Sequence, residues 1–181
     1  TVENLLEDKG KQLALNKTLK AQLENIELSA EDANSVVLDI TDIDGFEQNH
    51  PRAYQAANNL ENNFMSVVSN STDMLTVKTL NTLDIVKNEQ TYYLEEVIRT
   101  VDLIKPAIEQ THSDLYSSLK EYVDILENNI KGSNSLAANK KRLIDSITLT
   151  QSELAQSEQA TKMALNQIDE LVNQASDVAF K

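Results

Sequence analysis

The chain contains no cysteine and no tryptophan, and only three glycines and two prolines among its 181 residues. Without cysteine there is no disulfide framework, no thiolate zinc site and no cysteine nucleophile. Three glycines are too few for both the loops and the phosphate cradles of an α/β nucleotide enzyme. Cations are also short: 16 Lys and Arg stand against 29 Asp and Glu, a formal net charge of -13. Such a balance argues against a nucleic-acid partner, whose backbone is met by surplus Lys and Arg. No run approaches the roughly 18 uninterrupted apolar residues that a membrane span needs, and no signal-peptide pattern is present. A helical, acidic module remains.

Breakers are so rare that each one is informative. Asp44-Gly45-Phe46-Glu47-Gln48-Asn49-His50-Pro51 holds a glycine and an X-Pro step, and Pro51 is suited to the first position of a new helix. A second stop lies at Lys131-Gly132-Ser133-Asn134-Ser135, where a glycine C-cap precedes candidate N-caps. The intervening stretch is too long for one pass and is divided at Lys87-Asn88-Glu89-Gln90-Thr91. Apolar residues recur at steps of three and four throughout. Leu19, Leu23, Ile26, Ala30, Ala33, Val37 and Ile40 form one seam, and Leu94, Val97, Val101, Ile104, Ile108, Thr111, Leu115, Tyr122 and Leu126 another. A third runs through Leu143, Ile147, Thr150, Leu154, Ser157, Thr161, Ala164, Ile168, Leu171, Ala175 and Val178. No stretch alternates with a period of two, so no strand is expected. The pattern predicts one all-α domain over 1–181, an up-down-up-down antiparallel four-helix bundle with helices at about 2–47, 52–88, 92–131 and 135–181. At about 1.5 Å per residue such a rod is roughly 60 to 70 Å long.

Chemical motifs are scarce. Asp42, Asp44 and Gly45 match the middle of a calcium loop, but Ile40 stands at the first ligand position and Pro51 where the bidentate Glu belongs. His50 and His112 are too few and too far apart for helical metal motifs. Ser, His and Asp occur without a nucleophile elbow or an oxyanion hole, and no Glu-x-x-His pair is present. No enzyme, cofactor or metal is expected.

One polar constellation stands out. With the turns placed above, the helix midpoints fall near Asn25, Asn70, Thr111 and Ser157. Ser71 and Thr72 in the second helix, Gln110 and Thr111 after Pro106 in the third, and Ser157 and Thr161 in the fourth would then share one level. Unpaired polar groups inside a bundle cost on the order of 1–3 kcal/mol each, so they need partners, water or a ligand. These six residues are candidate ligand contacts. The alternatives are a register-setting polar layer bonded to itself and to backbone carbonyls, or a break in the second helix with Ser71 or Thr72 as its cap.

The amphipathic pattern reaches both limits of the chain, which begins at Thr1 rather than Met, so a domain cut from a longer protein is expected. Its length, four-helix pattern and adjoining ends resemble the extracytoplasmic helical-bundle ligand-binding domains of bacterial chemoreceptors (methyl-accepting chemotaxis proteins) and sensor histidine kinases. The resemblance is one of architecture. It implies a homodimer at the periplasmic or extracellular face of an inner membrane, flanked by transmembrane helices, that binds a small molecule and passes a helix displacement onward. Arg52, Arg99 and Arg142 do not reproduce the arginine pattern of the amino-acid-binding receptors, so no ligand class follows. The competing expectation is a structural or protein-interaction bundle, such as a spacer or a secretion or phage component, with no small-molecule ligand. A pore-forming toxin is disfavoured by the absence of an apolar hairpin and by acidic amphipathic helices.

Overall fold

The computed structural model describes residues 1–180, and every regular element among them is a helix. There are six: α1 (Val2–Thr41), α2 (Phe46–Asn49), α3 (Pro51–Thr76), α4 (Leu80–Ile108), α5 (Ser113–Ile130) and α6 (Leu136–Ala179). The all-α expectation stands, with six helices in place of four.

The first stop falls where the glycine and proline place it. Gly45 adopts φ 74°, a left-handed conformation that costs glycine little, and Pro51 opens α3 at its first turn. The second also holds: Gly132 sits at φ 96°, and Ser135 Oγ accepts from the Ala138 amide at 3.1 Å to cap α6. The predicted divide at 88–91 does not. Those residues lie inside α4, and the chain breaks earlier, at 77–79. Thr76, Val77 and Thr79 are β-branched and lose side-chain freedom in a helix, whereas Lys87, Glu89 and Gln90 are good helix formers. Thr79 is extended and its hydroxyl accepts from the Thr82 amide at 3.2 Å, which starts α4. The predicted helix over 92–131 is likewise divided. Pro106 lies in the last turn of α4, and the chain turns through 109–112 before α5. The donor that Pro106 lacks would have served the Asp102 carbonyl, so the helix ends soon after it rather than kinking and continuing.

The chain forms two compact units, one of Thr1–Gln12 with the segment from Asp145 onward, the other of Leu13–Ile144. The larger unit has a continuous apolar core. Leu19, Ile26, Ala33 and Ile40 from α1 join Leu60, Phe64 and Val67 from α3, Leu94, Val97 and Ile104 from α4, Leu119 and Leu126 from α5 and Leu136 from the start of α6. α3 and α4 form its most extensive helix pair. They run antiparallel, with Ser71 facing Gln90 near the turn and Arg52 near Leu103 and Pro106 at the far end.

In the smaller unit only Thr150 is buried among the described residues. Gln12 Nε2 donates there to Thr150 Oγ1 at 2.9 Å and to Ser146 Oγ at 3.2 Å. No described helix is long and apolar enough to cross a membrane.

Candidate functional site

The six polar residues singled out from sequence do not share one environment. Ser71 is fully buried in α3, where its hydroxyl donates to the Val67 carbonyl at 2.7 Å and accepts from Gln90 Nε2 at 2.8 Å. Thr72 is exposed and bonded to the Val68 carbonyl. Gln110 and Thr111 are exposed in the turn after α4, where the hydroxyl of Thr111 contacts His112 Nδ1 at 3.0 Å. Ser157 and Thr161 are exposed on α6 in the smaller unit, Thr161 bonded to the Ser157 carbonyl. α3 is continuous through 69–73, so neither Ser71 nor Thr72 caps a helix. At Ser71 the layer is self-bonded: Asn70, Ser71 and Thr72 each donate to the carbonyl four residues earlier, and Gln90 adds the cross-helix bond. Gln90 Oε1 is buried and has no hydrogen-bond partner among the described residues.

The turn at 77–79 brings other residues together. On α3, Arg52, Gln55, Ala56, Asn59 and Asn63 fall at helical spacing, with Asn58 and Asn62 beside them. On α4, Glu96, Arg99, Thr100 and Leu103 form the facing stripe. Between the two stripes lies a groove of about 810 Å³, within the roughly 300–1,000 Å³ usual for small-ligand clefts. Arg99 and Glu96 form a two-bond pair, with Nη2 at 2.7 Å and Nε at 3.4 Å from the carboxylate oxygens. That hydrogen bond holds the Glu96 carboxyl below the usual carboxylate range and raises Arg99 in turn. The Thr100 hydroxyl is spent on the Glu96 carbonyl at 2.8 Å.

A smaller groove of about 340 Å³ lies on the other side of α3, between it and α1. Ala30, Phe64, Met65 and Val68 form its apolar floor, and Glu27, Glu31 and Glu61 stand at its edge. α3 therefore separates a polar groove holding two arginines from an apolar groove bordered by carboxylates.

Other sequence candidates find plain structural places. Ile40 is fully buried in the core, and no three His, Cys, Asp or Glu side chains among the described residues are grouped to hold a metal. His50 and His112 both sit just ahead of helices, at the N-cap positions of α3 and α5.

The groove was hidden from sequence reasoning by the misplaced turn. Displacing a turn moves every cross-helix neighbour by twice that displacement, so a divide at 88–91 puts Arg52 and Arg99 far apart. The available signal was the pair of doublets Asn58-Asn59 and Asn62-Asn63, four residues apart on one helix. Comparison with protein-family models, with curated proteins and with solved structures finds no match.

Proposed function

We propose that the chain is an extracytoplasmic sensor domain that binds a small molecule in the α3–α4 groove and relays a helix displacement in chemotaxis or two-component signalling. The carrying observation is the groove itself, a ligand-sized polar cleft that gathers two of the chain's three arginines. A ligand touching both α3 and α4 favours one packing of that pair over another, which is the differential affinity any relay requires. α1 and α6 each belong to both compact units, so they are the elements through which a shift would pass. On this reading the domain lies at the periplasmic or extracellular face of an inner membrane, between two membrane helices, within an up-and-down bundle. The ligand occupies the groove in place of the six polar positions expected from sequence.

A homodimer belongs to the same proposal. Ala164, Leu165, Ile168, Leu171, Val172, Ala175 and Val178 make a broad apolar face on α6, and all are exposed. Gln167 and Gln174 border that face on one side and Lys162, Asp169 and Ser176 on the other, so its edges carry no net charge. A second copy of this acidic chain could therefore approach it with little like-charge repulsion across the seam. The same face favours the competing reading, a structural or interaction bundle with no ligand.

Two observations separate the readings. Apolar spans of about 20 residues just before Thr1 and just after Lys181 in the parent sequence support the sensor, and their absence sinks it. A thermal-shift screen of amino acids, organic acids, amines and bile-type compounds tests the groove directly. A ligand that stabilises the wild type but not an Asn59→Leu/Asn63→Leu variant supports the site. If no compound separates the two proteins, the structural reading prevails.

A further inference from the structure

We infer that the α3–α4 groove is selective for a small hydroxylated carboxylate of the sugar-acid class, with Arg52 as its carboxylate anchor and the α3 carboxamides as its hydroxyl contacts. The inference rests on the reading of this groove as the ligand site and goes beyond it in naming the chemistry.

Charge comes first. Glu96 is committed to Arg99, so that pair is internally neutralised. Arg52 is exposed and makes no hydrogen bond or ion pair among the described residues. The lining therefore carries one uncompensated positive charge, on a chain whose net charge is -13. An unpaired guanidinium presents a planar fork of donors that fits a carboxylate with two parallel bonds.

The carboxamides supply the second observation. Gln55, Asn58, Asn59, Asn62 and Asn63 line the groove, and none of their side chains has a hydrogen-bond partner among the described residues. Two asparagines elsewhere in the helices are spent on backbone: Asn70 donates to the Ser66 carbonyl and Asn129 to the Ile125 carbonyl, each at 2.9 Å. Asparagine is a poor helix former because its side chain competes for the backbone. Four of them within six positions of α3, none bonded in that way, gain nothing for the helix. Each can donate and accept at once, which is what a row of hydroxyl groups requires. The groove has no aromatic ring for stacking and only Ala56 and Leu103 as apolar lining, so it offers little to aromatic or steroid-like ligands.

The test is calorimetric titration of the whole chain with gluconate and galacturonate, beside glucose as the neutral polyol and hexanoate as the unhydroxylated carboxylate. Amide chemical shifts locate each compound. Binding of a sugar acid is expected to move the α3 and α4 signals around the groove. Arg52→Gln should weaken it by about tenfold, the scale of one lost charge-assisted bond, and Asn59→Ala/Asn63→Ala by a smaller factor. Arg52→Gln should leave the thermal midpoint of the free protein unchanged, since its side chain has no partner to lose, and Asn59→Ala/Asn63→Ala should raise it slightly, because alanine is the better helix former. Glucose or hexanoate binding as tightly as the sugar acids overturns the inference, as does an unchanged affinity in Arg52→Gln. A compound of another class that moves the same amide signals overturns the sugar-acid assignment and leaves the small-molecule reading intact. If no compound moves them, both fall.

Discussion

Residues 136–144 and residues 154–179 belong to one helix, yet only the first stretch is covered. Leu136, Ala137, Leu143 and Ile144 join the core of the larger unit. Asn139 bonds to Gln22 Oε1 and to the Asn134 carbonyl, and Lys140 to the Leu75 carbonyl. From Leu154 onward every described residue is exposed, including Leu154, Ile168, Leu171 and Val178. The same apolar spacing runs through both stretches. Periodicity thus reports that a helix has an apolar face; it does not report what lies against it. Full burial of a leucine contributes about 1.5–3 kcal/mol, and within this chain the distal stretch of α6 receives none of it.

The largest expected effect sets identical substitutions against each other on this helix. Leu136 is wholly buried and Leu171 is 64% exposed. Leu136→Ala should cost about 2–5 kcal/mol, the range for leucines truncated in a packed core. Leu171→Ala should stay within about 0.5 kcal/mol, as exposed substitutions usually do. Urea unfolding at low protein concentration measures both. Equal costs would break the comparison, because the distal face would then be covered. If a second copy covers it, the cost of Leu171→Ala should grow with protein concentration.

Polar residues give the next contrast. Ser71 and Thr161 each donate to the carbonyl four residues earlier, but Ser71 is fully buried and Thr161 is exposed. Only Ser71 also accepts a bond, from Gln90, whose other amide atom is already unpartnered. Ser71→Ala should therefore cost about 1–3 kcal/mol by stranding a buried amide, while Thr161→Ala is close to neutral because water replaces its bond. Adding Gln90→Leu to Ser71→Ala should recover part of the loss, since both unmatched groups then leave together. Non-additivity in urea unfolding checks the pair. Strictly additive costs would mean that the Gln90–Ser71 bond carries nothing.

What the sequence disclosed follows the same division. The helical class was legible from spacing, and two of the stops from Gly45-to-Pro51 and Gly132. In the α1 seam every expected position except Leu23 is buried. The break at 77–79 was illegible to a search for glycine and proline, because Thr76, Val77 and Thr79 weaken a helix by side-chain crowding alone. Thr111 was counted as a seam residue, but α4 ends before it and leaves it exposed. The groove could not be read without the true turn. Arg52 and Arg99 meet there through an antiparallel register that no local pattern encodes.

The smallest expected effect concerns Lys140, in the covered stretch of α6. Its ammonium donates to the Leu75 carbonyl at 2.8 Å, in the last turn of α3, where helix carbonyls lack partners and the dipole favours a cation. Burial nevertheless pushes its pKa below the usual lysine range, so desolvation outweighs that favourable placement. The sign of the pH dependence follows. Between the lowered folded-state value and the ordinary lysine value, the unfolded chain holds a proton that the folded chain has released. Stability therefore rises with pH across that alkaline window. Below it both states are charged and the cost of burying the ammonium is fully felt; above it both are neutral and the cost is gone. Lys140→Met removes the titration together with the hydrogen bond. At neutral pH these losses oppose each other, and the variant should lie within about 1 kcal/mol of wild type, the usual net worth of one such bond. Urea unfolding of both proteins from neutral to alkaline pH isolates the residue, since every other titrating group is common to the pair. The stability of wild type relative to Lys140→Met should climb as the window is crossed. A difference that stays flat or falls would show that the Leu75 carbonyl compensates the buried charge in full. Lys140 would then be an effective cap for α3 rather than a charge held there at a cost.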